Sequence, residues 1–234
     1  MADLATLELH HLARRFGHRI AVADLSLRIE SGSFHLIVGP NGSGKSTLAR
    51  MAVGLLRPHG GQVLVQGGDP RVSPDARRRL GYLGHQTQLY GDLTPIDNLR
   101  FAARLAGLDA VEDRVATGLE DVGIGPERAV NVRGLSRGMA QRVAVARSLI
   151  HRPELIVWDE PLTGLDQASA TRVVGLLERH RERGAAVAVI SHDLGELWRP
   201  GVTVHVIQAG RLVETTSTAV PLDQFRSRYA ELAP

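Results

Sequence analysis

The sequence predicts an α/β fold: a largely parallel sheet, an antiparallel β part near its start and a helical lobe inserted midway. Three observations point there. Short apolar runs bounded by glycine alternate with helix-patterned segments, as in a parallel sheet covered by helices. A glycine-rich stretch joins one of those runs to the helix that follows it. From about residue 87 to 151 the strands stop and the pattern stays helical.

The elements follow in order. Residues 6–10 and 25–29 read as antiparallel strands joined through Phe16-Gly17-His18, and residues 34–38, between Gly32 and Gly39, as a buried strand. A helix is expected from Lys45 to about Val53, ended by Gly54 and Pro58, then strands at 62–66 and 80–83. Pro95 opens the helical stretch as a first-turn residue. Strands resume at 155–158, 186–190 and 203–208, with a helix at 167–183 and a last one at 222–232. This gives one domain, residues 1–234, in which 1–86 and 152–234 form a core lobe and 87–151 the inserted helical lobe.

Of the 234 residues, 43% are hydrophobic and none is cysteine, so the chain can bury a large core without disulfides, and zinc-finger and thiol chemistry are excluded. No apolar run approaches ~20 residues, so no membrane span is expected. Residues 1–10 lack the basic and apolar regions of a signal sequence. The pI of 9.9 reflects arginine in place of lysine. The arginines are scattered, without the interleaved aromatics of a single-strand binder, so no nucleic-acid partner is expected. Lys45 is the only lysine in the chain. One position keeps a compact ammonium on a flexible stem where a planar guanidinium serves elsewhere.

That position completes a motif. Gly39-Pro40-Asn41-Gly42-Ser43-Gly44-Lys45-Ser46 fits G-x-x-x-x-G-K-[ST], after a buried strand and before an apolar helix. Such a loop turns successive backbone N–H groups toward an anion, and the helix that follows adds its positive end. Lys45 is the candidate for the β- and γ-phosphates of a nucleoside triphosphate, Ser46 for magnesium and Thr47 for the α-phosphate. The fold class becomes that of a P-loop NTPase. Residues 155–158 end in Asp159-Glu160-Pro161, two acids at the carboxyl end of a buried strand, where ligands of such sheets bind. Asp159 is the candidate for the magnesium shell and Glu160 for the general base.

Further pieces resemble the ABC ATPase family over nearly the whole chain. Leu135-Ser136-Arg137-Gly138-Met139 is similar to the family's signature loop and is followed by the usual continuation Gln141-Arg142-Val143-Ala144-Val145-Ala146-Arg147. Gln86 resembles the Q-loop glutamine, Leu165-Asp166 the D-loop, and His192 the switch histidine; Phe16 stands where the family stacks an aromatic on adenine. The resemblance implies a RecA-like core, ATP and magnesium as cofactors, and catalysis by Glu160, His192 and Lys45. It also implies that Gln86 senses the metal, and that Asp166, Ser136 and Gly138 act at a site shared with a second ATP-binding subunit, the last two on that subunit's γ-phosphate. Arg137 and Met139 depart from the signature, which has glycine and glutamine there. Met139 cannot repeat the glutamine's polar contacts.

Within the family, Tyr82-Leu83-Gly84-His85-Gln86, Leu93-Thr94-Pro95 and Asn98-Leu99 are similar to the ATPase subunits of cytochrome c biogenesis, the haem-exporter branch. That likeness implies an integral permease of the cytochrome c biogenesis system that holds the subunit at the cytoplasmic face of the cell membrane; the second ATP-binding subunit is expected to be an identical copy, a homodimer, with a different subunit left open. A drug or lipid exporter is the alternative, ahead of a soluble ATPase acting on nucleic acid or ribosomes.

Overall fold

A computed structural model of the chain describes residues 6–192 and 194–232. Residues 1–5 of the stretch read above as lacking a signal sequence lie outside the described residues. Two sheets carry the fold. β1 (Leu7–Phe16), β2 (Arg19–Ile29) and β4 (Gly60–Val65) form an antiparallel sheet in the order β2-β1-β4. The larger sheet runs β5-β6-β7-β3-β8-β9, from β3 (Phe34–Val38), β5 (Leu80–Leu83), β6 (Leu155–Asp159), β7 (Ala186–Ile190), β8 (Val202–Gln208) and β9 (Arg211–Ser217). Its pairs are parallel except for β8 with β9.

The apolar runs alternate between two cores, as period-two side chains must. Leu36, Val38, Ile156, Trp158, Val187 and Val189 face α5 (Arg137–Leu149) and α6 (Gln167–Glu182). Ile37, Leu155, Val157, Ala188 and Ile190 face α1 (Lys45–Ala52) and the small sheet. Between β5 and β6 the chain builds α3 (Pro95–Leu105) and α4 (Val111–Asp121), two short 3₁₀ turns and α5. Thr94 caps α3 by accepting the Asp97 N–H at 3.2 Å, with Pro95 in the first turn.

Several expectations change. β1 and β2 run on to their shared turn at residues 17–18, farther than the apolar residues alone suggested, because β1 pairs with β2 on one side and with β4 on the other. The helical stretch resolves into three α-helices, broken near Gly107 and Gly123, where φ is +68° and +69°. The short α2 (Pro74–Arg78) and the edge strand β9 were not anticipated, while α7 (Leu222–Leu232) falls where the pattern placed it.

Candidate functional site

Strand order assembles the site. β6, β7 and β3 are neighbours and parallel, so the loops leaving their carboxyl ends open on the same edge. β3 delivers the glycine-rich loop and Lys45, β6 delivers Asp159 and Glu160, and β7 delivers His192. Together with Phe16 from the β1–β2 hairpin they line one cavity of about 700 Å³.

The loop is built for close approach. A Cβ at Gly44, where φ is +108°, would lie 2.0 Å from the Ala21 carbonyl oxygen, so only glycine closes the turn that opens α1. Lys45 Nζ donates to the Gly39 and Pro40 carbonyls at 2.7 and 2.9 Å. Its side chain is tethered across the loop, its ammonium available at the cavity wall. Burial lowers the Lys45 pKa against the opposing fields of Glu160 and Asp159. Arg19 donates to the Gly42 carbonyl at 2.9 Å, tying the hairpin to the loop.

Asp159 ends β6 almost fully buried. Burial raises its pKa, opposed by a hydrogen bond from Ser46, and its Oδ2 has no hydrogen-bond partner. A buried carboxylate oxygen short of a partner, beside a serine hydroxyl in a cavity, fits the donor set of a cation. Among the described residues no three His, Cys, Asp or Glu side chains form a metal cage. The oxygens present suit a hard cation that completes its shell with water and phosphate, as magnesium does. Glu160 has a φ of +57°, a left-handed backbone rare for a residue with a side chain. Its N–H donates to the Ile190 carbonyl at 2.9 Å. Its Oε1 lies 2.8 Å from His192 Nδ1 and accepts the His192 N–H at 3.2 Å. The carboxylate is thus aimed along the cavity and backed by an imidazole, the geometry of a proton acceptor with an orienting partner.

The structure therefore brings together Phe16, Asn41, Gly42, Gly44, Lys45, Ser46, Thr47, Asp159, Glu160 and His192. Gly39, Pro40 and Ser43 support the loop from behind, Ser43 buried with its hydroxyl unpartnered. Gln86 is exposed and does not line the cavity; its neighbour His85 does. Ser136 caps α5, accepting the Met139 N–H at 3.2 Å, and Asp166 caps α6, accepting the Ser169 N–H at 2.8 Å. Gly138 packs on the loop that follows Glu160: a Cβ there would lie 2.7 Å from the Gly164 oxygen. None of these three faces the cavity of its own chain. Arg19, Ala21 and Thr163 line it without having been singled out, as does His85, quoted above only for its likeness to one branch of the family.

The sequence matches the ABC transporter family over residues 22–163. The chain belongs to that family. Family membership brings ATP binding and ATP hydrolysis with it. Among relatives, the cytochrome c biogenesis ATP-binding export protein CcmA of Nitrosomonas europaea is 39% identical over 189 residues, covering 80% of this chain and 87% of that protein. The Nod factor export ATP-binding protein I of Cupriavidus pinatubonensis is 35% identical over 212 residues, 89% of this chain and 65% of that longer protein. Among solved structures, a dimeric ATP-binding cassette in a post-hydrolysis state with ADP and Pi superposes with a TM-score of 0.83 at 26% identity, over 91% of this chain and 98% of that one. No described helix is long and apolar enough to cross a membrane.

Proposed function

We propose that this ABC ATPase is the motor subunit of the haem exporter of c-type cytochrome biogenesis, working as a homodimer against a membrane-embedded permease at the cytoplasmic face. The observation that carries the hydrolytic part is the meeting of Lys45, Asp159, Glu160 and His192 on one cavity. The transport part rests on relatives such as the Nitrosomonas protein, of whose length the chain spans 87%.

Phe16 stacks on the adenine. The N–H groups of the 39–46 loop, Pro40 excepted, and the Lys45 ammonium grip the β- and γ-phosphates, and Thr47 the α-phosphate. Ser46 and Asp159 would hold magnesium, with Gln86 the residue that would sense it from the loop after β5, and the ion would supply charge screening for the phosphates. Glu160 accepts a proton from the water whose oxygen attacks the γ-phosphorus while the bond to the ADP oxygen breaks. His192, against Glu160 Oε1, keeps carboxylate and water in line. Ser136 and Gly138 of a second copy close the far side of the γ-phosphate, with Asp166 beside them. This explains why the three face away from their own chain's cavity. Residues 87–151 then move as a lobe against 1–86 and 152–234, and that movement is the output to the permease.

Glu160→Gln tests both parts. ATP binding should persist while steady-state hydrolysis falls about 100-fold or more, and cells with this variant as their sole copy should lose c-type cytochromes. Retained hydrolysis would remove Glu160 as the base. Lost hydrolysis with intact cytochromes would favour the second reading, an exporter of another cargo, which the Nod factor relative's match to 89% of this chain supports.

A further inference from the structure

Glu160 needs help to hold its place. A left-handed backbone at a residue with a side chain persists only where the surroundings over-determine it. The Ile190 carbonyl secures the amide side of Glu160, accepting its N–H. The carbonyl side is secured from the inserted helices. Gln141, buried on α5, donates its side-chain amide to the Pro161 carbonyl at 3.0 Å and reaches the Glu160 carbonyl at 3.5 Å. One NH₂ group thus spans the two peptides on either side of Pro161.

We propose that Gln141 is a positioning residue for Glu160. Its amide clamps the peptides after the carboxylate, and through that clamp any shift of α5 is passed to the carboxylate. The proposal rests on the reading of Glu160 as general base. The chemistry selects glutamine: the site offers two carbonyl oxygens and so asks for a neutral group with two donors. A carboxylate of the same shape would repel both oxygens, and a thioether would leave the Pro161 oxygen without this donor and the Glu160 oxygen with only the Thr163 N–H at 3.4 Å. The anchorage of α5 makes the link stiff. Val143, Ala144 and Val145 are fully buried, and Ser148 accepts the Trp158 indole N–H at 3.1 Å from β6, the strand that ends in Asp159. Ser136 caps the same helix, so the turn assigned to a partner's nucleotide and the amide behind this chain's own base belong to one rigid rod. Docking of a second copy at Ser136 is thereby felt at Glu160 without any contact between them.

The test uses the full-length chain with Gln141→Met, and Gln141→Glu should the apolar variant prove insoluble. The expected result is a kcat about tenfold or more lower, with KM for ATP and nucleotide affinity within about twofold of the parent, since a small misplacement of a catalytic group costs rate rather than binding. Adding Gln141→Met to Glu160→Gln should lower the residual hydrolysis no further, because the clamp acts only through the carboxylate. An unchanged kcat, a KM and melting temperature that move in step with kcat, or multiplied losses in the double variant would overturn the proposal. Full hydrolysis by Glu160→Gln alone would instead show that the base is misassigned, so the two failures stay distinct.

Discussion

The two ends of the central sheet treat their buried polar groups in opposite ways. At the carboxyl end, Asp159 Oδ2 and Ser43 Oγ are buried without partners and Glu160 is held at a φ of +57°. Toward the amino end of β3, a polar chain crosses β3, β8 and β9 with its ring nitrogens in use. Ser33 Oγ lies 2.9 Å from His35 Nε2, His35 Nδ1 2.7 Å from His205 Nε2, and His205 Nδ1 3.0 Å from Thr215 Oγ1. Both imidazoles are buried and stacked, with ring centroids 5.1 Å apart. Burial by itself therefore says little about function. In this sheet the satisfied polar groups hold the fold together, while the orphaned oxygens of Asp159 and Ser43 lie at the phosphate loop and its cavity.

The largest effect expected from this contrast is at Lys45. Lys45→Ala should weaken ATP binding roughly 100-fold, the scale of a lost charge-assisted contact, while the chain stays folded. Equilibrium nucleotide titration checks it, and unfolding in place of weakened binding would mean that the ammonium serves the loop rather than the ligand.

The opposite behaviour is expected of the histidine pair. Burial pushes His35 down to about 4, against a weaker pull from Glu30, and His205 down to about 3, with His35 adding to the effect. The unfolded chain takes up these protons near 6.5 and the folded one does not until about 4 and about 3. Their contribution is complete above about 6.5 and is lost as pH falls from there toward 4. Burial lowers His151 and His180 as well, which adds to the same window. Denaturant unfolding should lose roughly 2 kcal/mol or more between pH 7 and 5. The double variant His35→Leu, His205→Leu should show a visibly shallower slope, with ATP affinity at pH 7.5 unchanged. A slope as steep as the parent's would assign the pH sensitivity elsewhere.

The same contrast decides what could be read in the sequence. β3, β5, β7 and α7 lie where their patterns placed them, because each is a short apolar run or amphipathic stretch with a clear stop. β9 escaped notice: as an edge strand it alternates half-buried and exposed residues and carries Glu214, Thr215 and Thr216 instead of an apolar run. The phosphate loop is legible because its residues are contiguous and its glycines are demanded by local backbone geometry. Arg19 and His85 reach the cavity through space. The hairpin register sets Arg19 against Gly42, and no spacing in the chain encodes that meeting. Gln141 could be read only as the continuation of a motif, since its role depends on the carbonyls of residues 19 and 20 positions further along. Ser136 shows the remaining limit: its visible work is capping α5, and the role proposed for it lies at a second copy, beyond what one chain displays.

The smallest effect offers the sharpest test of the contrast, because its sign runs against expectation for a buried residue. Burial is the largest influence on Asp159 and raises its pKa, with Glu160 adding to the rise and Ser46 opposing it. The folded state therefore disfavours the ionised form. Stability contributed at this site falls as pH climbs through the window above 3.8, and at neutral pH the fold carries the charge at a cost. Asp159→Asn removes that charge at nearly constant shape. In nucleotide-free, metal-free buffer it should raise stability by about 1 kcal/mol, a few degrees in Tm for a chain of this size, while hydrolysis collapses. Calorimetry at pH 7 reads the shift. A lower Tm would mean that the carboxylate already has its partners inside the fold, and the two ends of the sheet would then obey one rule rather than two.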